Sequence, residues 1–378
     1  MAEPDAIASS LPAHGAGVLL AVDGLCKRFP LPRGLIGTLT NRPAEAVHAI
    51  DGISFELQRG EILALVGESG CGKTTTALTL MGLLEADEGT IQFNGEDVTH
   101  LGRRGEAPRA TIAALERQSF RREPSFQPTL TMKGLRRQVQ MVFQDPYESL
   151  NPRATVYETV AEPLEVHGLA GTREELLERV RHALEAAGLS PAEDYLGRRP
   201  HELSGGQRQR VVIAGALVLE PILLIADEPV SMLDVSIRAE ILNLLDELRT
   251  RRGISILCIT HDLGTAAYFT DRIAVMYLGR IVETGPTKAV LAHPLHPYTQ
   301  ALLSVIPVPN PRLRRKCMIL TGETPNPVHL PSGCRFHPRC PIAVDRCKQE
   351  DPVLRELGPA HDAACLLAEP LPADPPAV

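Results

Sequence analysis

Short, nearly unbroken apolar runs alternate along this chain with longer stretches whose apolar residues recur at helical spacing. Ile62-Leu63-Ala64-Leu65-Val66, Ile222-Leu223-Leu224-Ile225-Ala226 and Ile254-Ser255-Ile256-Leu257-Cys258-Ile259 are the runs. Each has the length of one strand and stops at a Gly or a polar cluster, as expected for strands buried on both faces. Between and around them, Thr74 to Leu84, Thr155 to Ala187 and Ile237 to Leu248 read as helical. In the second of these, Leu176, Leu177, Val180, Ala183, Leu184 and Ala187 mark one helix face, and Gly188 ends it. Residues Val18 to Leu57 read as strands and turns. The alternation predicts an α/β fold with a mostly parallel sheet and helices on both faces.

Composition sharpens this only slightly. The 378 residues suggest two or three structural units, and 44% hydrophobic content is ample for a core. Aromatics are 4% and Trp is absent, so that core is mostly aliphatic. A net charge of −7 gives no sign of nucleic-acid binding. The N-terminus lacks the basic start and apolar run of a signal peptide, and residues 1–17 are expected to be a disordered tail. The best candidate for a membrane span, Val211 to Ala226, is broken by Glu220-Pro221. The expectation is a cytosolic chain whose membrane role, if any, runs through partner subunits. Residues 100–135 carry a surplus of Lys and Arg interrupted by Pro. They read as an insertion, either a solvated loop or a contact with a partner subunit or anionic lipid heads.

The first strand feeds a phosphate-binding loop. Gly67-Glu68-Ser69-Gly70-Cys71-Gly72-Lys73-Thr74 has Walker A spacing. Its glycines let backbone N–H groups approach phosphate oxygens, and the helix that follows adds its positive end. Lys73 is expected to reach the β- and γ-phosphates of a nucleotide, the Thr74 hydroxyl to bind Mg²⁺, and Thr75 to belong to the same cradle. The second strand delivers Asp227 to the carboxyl edge of the sheet, where α/β ligands bind; this carboxylate is expected to hold Mg²⁺. Glu228 follows it and is placed to polarise an attacking water. Ser204-Gly205-Gly206-Gln207, a serine at a helix start followed by glycines, reads as a second anion cradle.

Leu203-Ser204-Gly205-Gly206-Gln207 between a Walker A loop and a Walker B strand resembles the ATP-binding subunits of ABC transporters. The resemblance covers roughly Val18 to Pro307. It implies a P-loop NTPase of ABC type over residues 18–290, with a mostly parallel sheet, an antiparallel β subdomain and a helical subdomain over 145–210. It implies further roles for several residues. Gln144 resembles the Q-loop glutamine that reaches Mg²⁺ and water, and His261 the switch histidine that contacts the γ-phosphate. Asp234 matches the D-loop, although Met232 stands where Ala is common. Phe29 is the candidate aromatic platform for adenine, against the alternative of an ordinary core Phe. In such subunits each signature closes on the other subunit's ATP, so this chain needs a second copy or a sister ATPase.

Three longer stretches narrow the resemblance to the dipeptide and oligopeptide importers: Val142 to Arg153, Asp227 to Ile237, and His296 to Leu303. The wording around Tyr147 and Val230-Ser231 is similar to the F-type member of their ATPase pairs. The implied partners are a sister ATPase, two membrane permeases and an extracytoplasmic substrate-binding protein, with no nucleic acid. The implied place is peripheral, at the cytoplasmic face of the cell membrane. The implied activity is ATP hydrolysis coupled to import of peptides or a related solute. A soluble ABC ATPase is the alternative, and a GTPase or kinase is disfavoured by the signature. Residues 291–378 read as a loop-rich extension with a linker at Pro307 to Pro311. It contains Cys334, Cys340, Cys347 and Cys365. Spacing alone leaves a [4Fe–4S] cluster, zinc and free thiols open; the resemblance favours the cluster.

Overall fold

The three apolar runs become neighbouring strands of one sheet. The computed structural model describes residues 17–31, 45–101, 130–306, 318, 320 and 322–372. Residues 1–16, most of the basic insertion, and the stretch with Pro307 to Pro311 and Cys317 lie outside them.

In chain order the first elements are β1 (Val18–Pro30), β2 (Ala46–Gln58), β3 (Ile62–Val66) and α1 (Lys73–Leu80), then β4 (Glu88–Phe93) and β5 (Glu96–Asp97). A short helix α2 (Met132–Gln138) runs directly into β6 (Val139–Val142). The end of the basic stretch is therefore not all surface, since Leu135 is buried against the core. Next come α3 (Pro146–Ser149), α4 (Val156–His167), α5 (Arg173–Ala186), α6 (Glu193–Leu196) and α7 (Gly205–Leu217). The single helical stretch expected over 155–187 is two helices. Gly168 sits at the end of α4 with φ 69°, and Thr172 restarts the chain with a capping box closed by Glu175. β7 (Leu223–Asp227), α8 (Val235–Arg252), β8 (Ser255–Thr260), α9 (Leu263–Phe269), β9 (Arg272–Tyr277) and β10 (Arg280–Pro286) complete the central part.

The large sheet has the order β9-β3-β8-β7-β6 through its parallel part. β10 then pairs antiparallel with β9. Because strand side chains alternate, each run splits its residues between two faces. Leu63, Leu65, Leu223, Ile225, Leu257 and Ile259 join one core with α1 and with a separate antiparallel sheet of order β2-β1-β4-β5. Leu224, Ala226, Ile256 and Cys258 face another core built with α4, α5, α7 and α8. The functional loops leave the sheet between these two layers, at the carboxyl ends of β3, β6, β7 and β8.

The end of the chain is more integrated than a loop-rich extension suggests. α10 (Thr287–Ala292) and α11 (Pro297–Ser304) pack under the sheet, and Tyr298 is fully buried. After α12 (Asp345–Gln349), two short strands, β11 (Arg355–Gly358) and β12 (His361–Ala363), extend the large sheet beyond β10. No helix among the described residues is long and apolar enough to cross a membrane.

Candidate functional site

The loop between β3 and α1 closes on its own lysine. Lys73 is buried, and its Nζ donates to the carbonyls of Gly67 at 2.7 Å and Glu68 at 3.0 Å. The backbone needs glycine here for two reasons. Gly72 caps α1 at φ 109°, and a Cβ there would lie 2.1 Å from the Ala49 carbonyl oxygen. A Cβ on Gly67 would lie 2.2 Å from the Met276 carbonyl oxygen. The loop is thus wedged between β2 and β9 while its amides and the first turn of α1 supply an anion cradle. Burial pushes the Cys71 thiol up despite the Lys73 ammonium beside it.

At the carboxyl end of β7, Asp227 is buried and its Oδ1 has no hydrogen-bond partner. Burial raises its carboxyl above the ordinary range and the neighbouring Glu228 adds to this, while the Thr74 hydroxyl and Lys73 oppose it. The partnerless Oδ1 of Asp227 and the Thr74 hydroxyl offer two neighbouring oxygen donors. These two groups fit a hard divalent cation such as Mg²⁺.

Glu228 gathers two of the predicted residues. Gln144 Nε2 donates to its Oε2 at 3.1 Å, and His261 Nδ1 lies 2.9 Å from its Oε1. These come from the ends of β6, β7 and β8, which the sheet order makes adjacent. Glu228 itself has φ 47°, an uncommon conformation for a non-glycine residue, held by its N–H donating to the Ile259 carbonyl at 2.8 Å. Glu228 and His261 line, with Ser231, Arg238, Thr260 and Thr265, a cleft of about 220 Å³.

Ser204 caps α7, where its Oγ accepts from the Gln207 N–H and its own N–H donates to Gln207 Oε1 at 2.9 Å. Gly206 is packed so closely on α8 that a Cβ would meet Ile237 Cγ2 at 2.7 Å; Gly205 faces Leu233. Among the described residues no hydrogen bond joins Ser204, Gly205, Gly206 or Gln207 to the phosphate loop. Asp234 stands at the start of α8 without a side-chain cap bond, between the exposed Met232 and Val235. Phe29 is not a core residue: it is 37% exposed, with Lys27 Nζ 5.6 Å from its ring centre. Its register partner Val47 is two residues from Ala49, whose carbonyl abuts Gly72, so Phe29 lies on the approach to the loop.

The tail brings Cys334, Cys340, Cys347 and Cys365 into one neighbourhood. Burial pushes the Cys334 thiol up to about 11, with smaller raising contributions from Cys347, Cys365 and Cys340. The Cys334 N–H donates to the Cys347 carbonyl at 2.9 Å. Among the described residues, however, no group of three or more His, Cys, Asp or Glu side chains stands in an arrangement to hold a metal ion.

Sequence patterns missed the residues that hold the phosphate loop from behind. Tyr298 accepts a hydrogen bond from the Glu68 N–H at 2.9 Å, and Thr324 and Arg339 donate to the Glu68 carboxylate. Tyr298 lies in the His296 to Leu303 stretch, whose aromatic was a signal without an assigned role. Arg208 of α7 stacks on Tyr147 of α3, the short helix that follows Gln144, 4.1 Å from the ring centre, and so connects the signature helix to that segment.

Residues 50–231 match the family model described as ABC transporter, and residues 282–347 match that of the oligopeptide/dipeptide transporter C-terminal region. A putative peptide import ATP-binding protein of Brucella ovis is 46% identical over 348 residues, covering 92% of this chain and 97% of that protein. The oligopeptide transport ATP-binding protein AppF of Bacillus subtilis is 42% identical over 351 residues, with 92% and 97% covered. Among solved structures, cbiO1 from Clostridium perfringens, part of an ABC transporter complex, superposes with TM-score 0.54 at 30% identity, over 73% of this chain and 91% of that one. The bacterial ABC transporter cassette MJ0796, in a dimeric structure, gives TM-score 0.54 at 25% identity, over 71% and 98%.

Proposed function

The chain belongs to the ATP-binding subunits of ABC transporters, in the group with the oligopeptide/dipeptide C-terminal region, and from that premise we propose that it hydrolyses ATP to drive import of peptides. The observation that carries this is Glu228, with Gln144 on one carboxylate oxygen and His261 at the other, one residue from the orphaned oxygen of Asp227.

In this reading the amides from Gly67 to Thr75 bind the phosphates, and Lys73 exchanges its loop carbonyls for β- and γ-phosphate oxygens. Phe29 stacks on the adenine. Thr74 and Asp227, with Gln144 nearby, hold Mg²⁺, which would neutralise charge developing on the phosphates. Glu228 accepts the proton of the attacking water as general base; Gln144 and His261 fix its carboxylate. Ser204, Gly205, Gly206, Gln207 and Asp234 serve the nucleotide of the opposite subunit. That role accounts for their having no bond to the loop of their own chain.

The proposed partners are a second copy or sister ATPase, two membrane permeases and an extracytoplasmic binding protein. The proposed place is the cytoplasmic face of the membrane. The test is to purify the tagged chain with its membrane subunits and reconstitute it in liposomes. ATP-dependent accumulation of labelled dipeptides or oligopeptides is expected. ATP hydrolysis by a chain that retains no membrane subunit and drives no uptake would instead favour a soluble ABC ATPase.

For the tail we propose a [4Fe–4S] cluster on Cys334, Cys340, Cys347 and Cys365, supported by four cysteines in a Pro-rich, loop-rich segment and by the family resemblance, while their side chains as they stand form no metal-holding group. Anaerobic purification should give about four iron and four sulfide per chain with broad visible absorbance. Stoichiometric zinc or metal-free protein would refute it.

A further inference from the structure

We propose that Arg339, in the cysteine-bearing turn of the tail, is a positioning residue for the phosphate loop and acts through Glu68. Glu68 is the second residue of that loop, and its polar atoms are committed. Its N–H donates to Tyr298 Oη at 2.9 Å. Its carbonyl accepts from Lys73 at 3.0 Å. Its carboxylate takes both terminal nitrogens of Arg339, at 2.8 and 3.2 Å, and the Thr324 hydroxyl at 3.0 Å. A bidentate guanidinium fixes direction as well as distance, so the carboxylate cannot swing while the pair holds.

The far side of the brace is equally fixed. Arg339 is buried, bonds Thr324 at 3.3 Å and lies against the Tyr277 ring. Its turn is anchored by Phe336, which packs among Tyr277, Tyr298 and His296. Arg335, at the start of the same turn, bonds the Leu278 carbonyl and pairs with Asp51. Leu278 leads to Gly279, whose N–H donates to the Cys71 carbonyl at 2.9 Å inside the same loop. The tail therefore grips the loop at Glu68 directly and at Cys71 through the β9–β10 turn. Lys73 shares the Glu68 carbonyl, so the brace sets the frame in which the lysine releases its loop carbonyls for phosphate. The expected consequence of losing Arg339 is weaker nucleotide binding more than slower chemistry, because Glu228, Gln144 and His261 follow other strands, β7, β6 and β8.

The inference rests on the reading of residues 67–75 as the nucleotide loop. Its test uses the full chain, a fluorescent ATP analogue with Mg²⁺ for affinity, and the reconstituted ATPase for KM and kcat. Arg339→Ala is expected to weaken nucleotide affinity about tenfold, the scale of one charged hydrogen-bond pair, with kcat at saturation within about twofold. Arg339→Lys should recover part of the loss. Glu68→Gln should weaken affinity similarly, and the double variant should add little to either single change. If Arg339→Ala does not fold, as judged by its melting transition, Glu68→Gln decides alone, since it leaves the tail intact. Unchanged affinity, additive effects, or a fall in kcat without a rise in KM would overturn the proposal. A wild-type chain that binds no nucleotide would overturn the nucleotide reading itself, a distinct outcome.

Discussion

Replacing Glu228 by Gln separates the two things this residue does in the structure. The carboxylate accepts a hydrogen bond from Gln144 Nε2 at 3.1 Å and stands 2.9 Å from His261 Nδ1. A Gln side chain has the same shape. With its Oε1 turned to Gln144, its Nε2 donates to an unprotonated His261 Nδ1, so both contacts survive. The backbone bond to Ile259 and the φ of 47° are untouched. What is lost is the ability to take a proton. The expected fall in hydrolysis is at least ~10²-fold, the lower bound for a lost general base, or about 2.7 kcal/mol on the barrier. ATP affinity should remain near wild type, and ATP should hold the dimer closed. Glu228→Ala provides the contrast, because it also frees Gln144 and His261. The assays are phosphate release at saturating Mg·ATP, binding of a fluorescent ATP analogue, and sizing of the ATP-bound species. Near wild-type turnover in Glu228→Gln would refute the base assignment. Equal loss of binding and turnover would refute the claim that the Gln contacts are preserved.

Gly72→Ala places a Cβ 2.1 Å from the Ala49 carbonyl in a left-handed residue, so nucleotide binding should be abolished in a chain that still folds; a normal binding isotherm would refute the wedge. Mixing Ser204→Arg with Lys73→Ala chains should restore part of the activity, because one composite site keeps an intact loop and signature. Where the chain pairs only with a sister ATPase, the two changes are placed in the two partners; activity per chain that stays constant on dilution to monomer would refute the composite site. Burial depresses the His296 imidazole from 6.5 to about 4, against the raising effect of Glu283. A depressed group favours the folded chain above pH 6.5, and that contribution is lost as pH falls from 6.5 through 4. The full window is worth about 3 kcal/mol at 1.36 kcal/mol per unit. His296→Asn keeps a side-chain acceptor for the Tyr298 N–H and should flatten the fall in denaturant stability between pH 6.5 and 4. An unchanged slope would refute the assignment.

What could be read in the sequence was whatever folds locally or lies on both-face-buried strands. Ile62 to Val66 has no polar residue to hide, so its length and its exit into Gly67 were plain. Asp227 and Glu228 followed from the same logic. The division of residues 155–187 was harder, because the apolar spacing on either side of Gly168 to Gly171 is compatible with one helix; only the Thr172–Glu175 capping box marks the restart. β11 and β12 carry Arg355, Glu356, His361 and Asp362 and so lack an apolar run, and they hold their place only by pairing on the edge of the large sheet. The tail is otherwise loop-rich as expected, and these strands and α12 are the elements that the expectation did not include. The contacts of Glu68 with Tyr298 and Arg339 span 230 and 271 residues, beyond the reach of any periodicity.

Those long contacts change what the C-terminal region is. Its family match begins at residue 282, within β10, and not after the sheet. β10 is the strand on which β12 pairs, and Glu283 in it accepts from the Leu295 and His296 N–H groups and pairs with His361 of β12. A fully buried carboxylate with three partners is costly to leave partly paired, so β10, the start of α11 and β12 must form together. α11 then carries Tyr298 to Glu68, and the turn before Cys340 carries Arg339 to the same residue. A removable appendage would leave the phosphate loop intact when cut away. Here truncation after β10 would strip Glu68 of Tyr298, Thr324 and Arg339 at once and leave Glu283 without His361. The C-terminal region is therefore part of the nucleotide-binding domain in the physical sense, whatever its cysteines hold.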